Sequence, residues 1–291
     1  VSRLRIRHVT GFSYPTSVSA SYNEARMLPM QDDTQYVLFS QLRVDPEAAS
    51  HEYVDYWGTR VAAFEILGPH RRLSLTATSV VEVGDRTAEF QGRVPVSWDE
   101  LGAVAEAQTG SVEQVFSTPS TTPSDDLVDL ATSIRRAGDG PGETARAIAN
   151  AVGERMEYKQ GVTSVRTTAS NAWEARAGVC QDIAHVTLAA VRAAGIPARY
   201  VSGYLHPQPD APLGVTVLGE SHAWVEWLTD VDGQGVGAWT GFDPTNRIDI
   251  GERHIVVGRG RDYSDVPPLR GVYAGAESTE QSVTVELTRE A

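Results

Sequence analysis

A cysteine used as a nucleophile needs a base within reach, and the base needs an acceptor to orient it. This chain offers one candidate for each role. Cys180 is the only cysteine in 291 residues. Cys180, Ala184, Leu188 and Val191 recur at helical spacing, which predicts a helix over 180–194 that starts at the cysteine. Gly195 supplies a stop, and Pro197 follows shortly after. Gly178 is expected to let the backbone turn tightly into the first helical turn. A thiol at that end faces unpaired amide hydrogens and a partial positive charge, and both stabilise a thiolate. The plainer alternative is a buried structural cysteine.

The best base is His222, in Ser221-His222-Ala223-Trp224-Val225-Glu226. It opens a predicted strand whose alternation puts His222, Trp224 and Glu226 on one face. The best acid is Asp243, at the end of the next predicted strand. A hairpin joining the two strands returns Asp243 to the side of His222, and Pro244 keeps the chain extended at the carboxylate. Taken singly, the histidine is an ordinary surface or packing residue and the Asp-Pro is a turn. Asp182 and His185 flank the cysteine on its helix. Asp182 also suits a helix N-terminus on its own account, and His185 suits a packed interior.

No metal or cofactor is signalled. His8, His51, His70, His206 and His254 lack metal spacing, and there is no HExxH, CxxC or EF-hand pattern. Asp230-Val231-Asp232-Gly233 reads as an acidic hairpin turn rather than a calcium loop. Gly258-Arg259-Gly260-Arg261 reads as a loop without a phosphate-binding lysine.

These residues need a scaffold. Apolar content is 41% and charged content 22%, both ordinary for a globular chain with a real core. A net charge of −13 argues against general binding to nucleic acid or anionic membranes. One cysteine excludes an intrachain disulfide, no apolar run reaches membrane-span length, and residues 1–20 show no signal-peptide pattern. The expected compartment is the cytoplasm. The chain begins at Val1, so an initiator methionine or a leader could precede it.

Residues 1–98 read mostly as strands, at 4–9, 36–39, 42–44, 61–67 and 73–83, separated by turn residues. They predict a β-rich N-terminal domain. Tyr53, Tyr56, Trp57 and Gly58 form an aromatic cluster expected to pack in its core. Residues 99–123 lose periodicity and read as a linker or surface loop. Residues 124–275 read as the catalytic core. One helix is capped by Ser124 and ended by Gly138, a second runs from Pro141 to about Met156, and a short one covers 169–176. The Cys180 helix comes next. Strands follow at 198–205, 221–228, 238–242 and 254–257, with a loop over 206–219. A C-terminal strand occupies 282–287 within 276–291. Helices followed by antiparallel strands indicate an α+β fold.

Taken together, GVCQDIAHVTLAAVRAAGIPARYVSGYL, SHAWVEW and GFDPTN resemble the transglutaminase-like cysteine protease family of the papain-like superfamily. SYNEARMLP and GRGRDYSDVPPLRGVY resemble its bacterial branch, which carries a β-rich N-terminal domain. The resemblance implies a papain-like core of helices packed on an antiparallel sheet. It implies Cys180 as nucleophile, His222 as general base then acid, and Asp243 as its orienter, with acyl transfer through a thioester. The oxyanion would be held by the Cys180 amide and a second donor from upstream. Tyr158 and Gln160 are the candidates for that donor, with Trp173 better read as core. The implied substrate is a peptide or protein, cleaved at peptide or isopeptide bonds, without a cofactor. The alternatives are transfer of a glutamine acyl group to an amine, or a binding protein that retains the fold without turnover.

Overall fold

The computed structural model of the chain describes residues 1–85, 92–137, 140–275 and 280–291. The N-terminal half contributes β1 (Ser2–Val18), β2 (Ala20–Ala25), β3 (Gln35–Asp45), β4 (Ser50–Val54), β5 (Arg60–Ile66), β6 (His70–Val83) and β7 (Val94–Pro95). The helices are α1 (Leu101–Glu106), α2 (Asp125–Ala137), α3 (Pro141–Arg155), α4 (Ala169–Ala175) and α5 (Cys180–Ala193). Between them lie the short strands β8 (Glu157–Tyr158) and β9 (Ala177–Gly178). The last strands are β10 (Ala198–Leu205), β11 (Thr216–Val231), β12 (Gly237–Asp243), β13 (Ile248–Asp249), β14 (His254–Gly260), β15 (Leu269–Ala274) and β16 (Glu280–Arg289). The fold is α+β, with helices packed on antiparallel strands and a β-rich N-terminal region.

Chain order and spatial order diverge at the C-terminus. The last strand, β16, pairs along β1 on one side and with β11 at Gly219–Val285 and onward on the other. It therefore joins the N-terminal strands to the catalytic strands in one sheet. β15 pairs with β2, so residues expected within the 124–275 core complete the smaller β15-β2-β5-β4 sheet. The two sheets enclose a core of Tyr14, Val18, Met27, Phe64, Leu73 and Leu75.

α5 is the hub. Every residue from Asp182 to Arg192 is buried, because α2, α3 and α4 cover its outer sides and β10 and β11 lie beneath it. The expected single apolar stripe is thus a helix buried all round, as its Ile, Val, Leu and Ala content allows. Gly195 ends it at φ +84, a conformation that favours glycine. Arg192 is buried yet fully engaged: its guanidinium donates to the carbonyls of Gln114, Ala198 and Arg261 and to the Thr121 hydroxyl.

Several local expectations change. Residues 99–123 carry α1 and a 3-10 turn at Val112–Val115, and bury Leu101, Ala105 and Gln114. The cluster at Tyr53 and Tyr56 is exposed rather than core, with the two hydroxyls donating to Glu24 and Glu113. Gly258, Arg259 and Gly260 belong to β14 rather than a loop, and the proposed loop over 206–219 gives way to β11 at Thr216. Arg259 reaches both Glu226 and Asp32 at 2.9 Å, tying the N-terminal region to the catalytic sheet. Gly138, the expected stop of α2, lies outside the described residues.

Gly178 also differs from expectation. It has no positive φ; the constraint is space, because a Cβ there would lie 2.6 Å from Asp182 Cβ and 2.7 Å from its Oδ2. That carboxylate accepts from the Val179 amide at 2.8 Å and from the Thr163 hydroxyl at 2.6 Å, and so holds the start of α5. Gly178→Ala is expected to displace this cap and destabilise the fold by about 1–3 kcal/mol. The midpoint of urea unfolding, compared at constant slope, measures it.

Candidate active site

Cys180 is the first residue of α5 and is half-buried. The amides of Cys180 and Gln181 open the helix, so no carbonyl one turn earlier exists to accept them. The antiparallel pairing of β11 with β12 runs to Val225 opposite Phe242, which leaves Asp243 one step further on, close to His222. His222 Nε2 stands 2.7 Å from Asp243 Oδ2. With Nε2 engaged by Asp243, Nδ1 is the other ring nitrogen, and His222 and Cys180 line the same cleft. The three expected residues meet in one place.

Asp243 is fully buried and held from four directions. Its Oδ1 accepts from the amides of Thr245 at 3.0 Å and Asn246 at 3.1 Å. Its Oδ2 accepts from Asn246 Nδ2 at 2.7 Å, and His254 Nε2 lies 3.5 Å from the same oxygen. His254 Nδ1 accepts from the Gly251 amide, so its proton sits on Nε2, facing the carboxylate. His254 and Asn246 were not singled out from the sequence. Asn246 follows Asp243 closely enough for an Asx-type turn to be expected, whereas nothing local marks His254, which arrives on β14 by way of β10. Behind both histidines stands the buried Trp224 indole, edge-on to His254 at 5.4 Å and tilted against His222 at 6.2 Å. Gly203 makes room for it, since a Cβ there would meet the indole ring.

The electrostatics follow from this packing. Burial works against an imidazolium, yet the Asp243 carboxylate, by hydrogen bond and by charge, and the neighbouring Cys180 push His222 up to about 10. Burial alone would raise the Asp243 carboxyl. Hydrogen bonds from His222, His254 and Asn246, with the charge of His222, hold it far below the usual carboxylate range. A protonated ring beside a sulfur at a helix N-terminus is an arrangement that favours thiolate.

The neighbours fall into place differently. Asp182 is the helix cap described above, and burial raises its carboxyl despite the Thr163 and Val179 donors. His185 is a packed histidine: Nε2 accepts from the Tyr263 amide at 3.1 Å, and burial lowers the ring to about 4. Trp173 is core, with its Nε1 donating to Asp126. Tyr158 and Gln160 do line the cleft with Cys180, but both are committed elsewhere. The Tyr158 hydroxyl and Gln160 Nε2 each donate to Glu220, at 3.0 Å. As an oxyanion donor each would first have to leave the Glu220 carboxylate. The cleft has a volume of about 680 Å³ and continues from Cys180 and His222 over the N-terminal strands.

Known proteins are similar to this chain along its whole length. An uncharacterized protein of Mycobacterium leprae is 39% identical over 288 residues, covering 99% of each chain. An uncharacterized protein of Mycobacterium tuberculosis is 32% identical over 296 residues, covering 98% of this chain and 92% of the other. Part of the chain, 158 residues or 48% of it, is 30% identical to 22% of a protein-glutamine gamma-glutamyltransferase of Pseudomonas aeruginosa. The crystal structure of a candidate cysteine protease from Cytophaga hutchinsonii shares the fold, with a TM-score of 0.77 at 22% identity over 100% of this chain and 91% of that one. The family models for the bacterial transglutaminase-like N-terminal region and the transglutaminase-like superfamily match residues 4–82 and 128–244 respectively, and the chain belongs to the transglutaminase-like superfamily.

Proposed function

We propose that the protein is a cysteine-dependent amide hydrolase that cleaves peptide or isopeptide bonds through a Cys180–His222–Asp243 triad. The observation that carries this reading is the convergence of a helix-start thiol, an imidazole and a fully buried carboxylate at one end of a deep cleft. In the proposed cycle Cys180 reacts as the thiolate, beside a His222 ring that keeps its proton through neutral pH. The thiolate attacks the carbonyl carbon and a C–S bond forms. The C–N bond then breaks, and His222 gives its proton to the leaving amine. Next, His222 takes a proton from water, the hydroxide equivalent attacks the thioester, and the C–S bond breaks. Thiolate, imidazolium and a free acid result. His222 therefore acts first as acid and then as base. The Cys180 amide is the proposed oxyanion donor, since it opens the helix beside the sulfur. The lone cysteine is compatible with a cytoplasmic setting, which we retain as part of the proposal.

Water is the proposed acceptor. An enzyme that passes the acyl group to an amine must keep water from the thioester, usually with apolar walls. Among the described residues lining the cleft there is no tryptophan. Trp224 is buried with Val201, Ile250 and Val256, Trp227 faces the helices, and Trp239 lies under the Arg199 guanidinium. Product analysis tests the choice. A reactive acyl peptide offered with excess primary amine is expected to yield mainly the free acid. An amide adduct that exceeds the acid at modest amine concentrations would assign the protein to transamidation instead.

A further inference from the structure

The cleft extends well beyond the triad. Its floor is one face of the large sheet, defined by rows of paired residues. Gly219, Val285 and His8 form the row nearest His222, Val283 and Thr10 the next, and Gln281, Phe12 and Leu73 the third. His8 and Phe12 are separated by about 13 Å of strand. At the far end, Tyr14 and Tyr273 lie with ring centroids 5.0 Å apart. Tyr273 is 37% exposed, so this aromatic end is open to a ligand.

Away from the Cys180–His222 pair, the charge in the cleft is one-sided. Glu220 lines it just ahead of His222 on β11, and among the described lining residues there is no other carboxylate, arginine or lysine. The Glu220 carboxylate is oriented by two uncharged donors, the Tyr158 hydroxyl and the Gln160 amide. Those donors fix its position without cancelling its charge. A cation brought to this mouth gains a carboxylate already set in place.

We propose that the cleft is a two-point site for an extended peptide. A cationic side chain or ammonium sits on Glu220, beside the reactive amide. An aromatic or large apolar side chain, about four residues away at 3.3 Å per residue, sits on Phe12 and Tyr273. The N-terminal strands and β15 thereby select the substrate rather than merely brace the core. The volume of the cleft, about 680 Å³, lies within the range of sites that bury most of a drug-sized ligand. The proposal rests on the reading of Cys180 as nucleophile only for the place of the reactive amide.

Equilibrium binding separates the two. Cys180→Ala protein is titrated with dye-labelled Ala-Lys-Ala-Ala-Ala-Phe, with the same residues in reverse order, and with an all-alanine peptide of equal length. One of the two chain directions is expected to bind at least about tenfold tighter than the alanine peptide. Added to the same background, Glu220→Gln should remove the advantage given by lysine and keep that given by phenylalanine. Tyr273→Ala, at an exposed edge-strand position, should do the reverse. Binding within twofold of the alanine peptide in both directions would overturn the proposal. So would advantages that survive both substitutions. Alkylation of wild-type Cys180 by iodoacetamide reports on the nucleophile alone, so its failure would strike the catalytic reading and leave the binding result standing.

Discussion

His222→Ala is expected to lower kcat/KM on the order of 10⁴-fold or more, for any amide or activated ester that the wild type turns over. The ring carries both proton transfers, and its positive charge is what stands beside the sulfur. Cys180→Ala should abolish the same activity, and the double variant should be no worse than either single one, because the groups act as a unit. Asp243→Ala should cost roughly tenfold to a hundredfold less than loss of the histidine. The ring and sulfur remain in that variant, but the acceptor that holds the ring is gone. Steady-state kinetics on the single and double variants check all of this. Additive losses, or full activity in His222→Ala, would refute the unit.

Asp243→Asn is expected to shift the alkaline limb of the pH–rate profile downward. In the wild type His222 is held as imidazolium up to about 10, and the Asp243 charge is a main support. The amide removes that charge while keeping an oxygen that can accept from the ring, so the histidine falls back toward its ordinary value of 6.5. Stability should follow the same groups. The raised histidine stabilises the fold fully below 6.5, progressively less as pH rises from there, and not at all above about 10. The depressed Asp243 stabilises the fold above its ordinary 3.8 and loses that contribution as pH falls further. Both contributions are complete together only between these ordinary values, about pH 4 to 6.5. The stability difference between wild type and Asp243→Asn, from denaturant titrations at several pH values, should peak there. A difference that is flat with pH would contradict the assigned charges.

Much of this site was legible before the structure, for reasons that can be named. A helix beginning at Cys180 follows from apolar spacing plus Gly195, and α5 runs Cys180–Ala193. The strand carrying His222 and the return strand ending at Asp243 follow from alternation and the intervening turn, and hairpin geometry does the rest. Trp224 and Trp227 lie three apart on one strand, and their side chains fall in separate cores. What escaped is non-local. His254 reaches Asp243 only because β14 pairs with β10, which pairs with β11, and no spacing in the sequence encodes that order. The insertion of β16 beside β1 is likewise a pairing between chain ends. Tyr158 and Gln160 line the cleft with Cys180. Their donors meet Glu220, which comes from a strand whose start was read as loop. Gly178 was read as a backbone need, when the structure makes it a matter of room for Asp182. In each of these the missing information is which side chain another element brings alongside.

The central claim is that Cys180 carries the acyl group during turnover. Wild-type protein mixed with a p-nitrophenyl ester of an N-acetylated peptide, quenched in acid and weighed intact, reports it directly. The expected result is a mass increase equal to the acyl group, on a fragment containing Cys180, that appears before steady state and is absent in Cys180→Ala. Turnover of the ester with no adduct at Cys180, or with the same adduct in Cys180→Ala, would contradict the account.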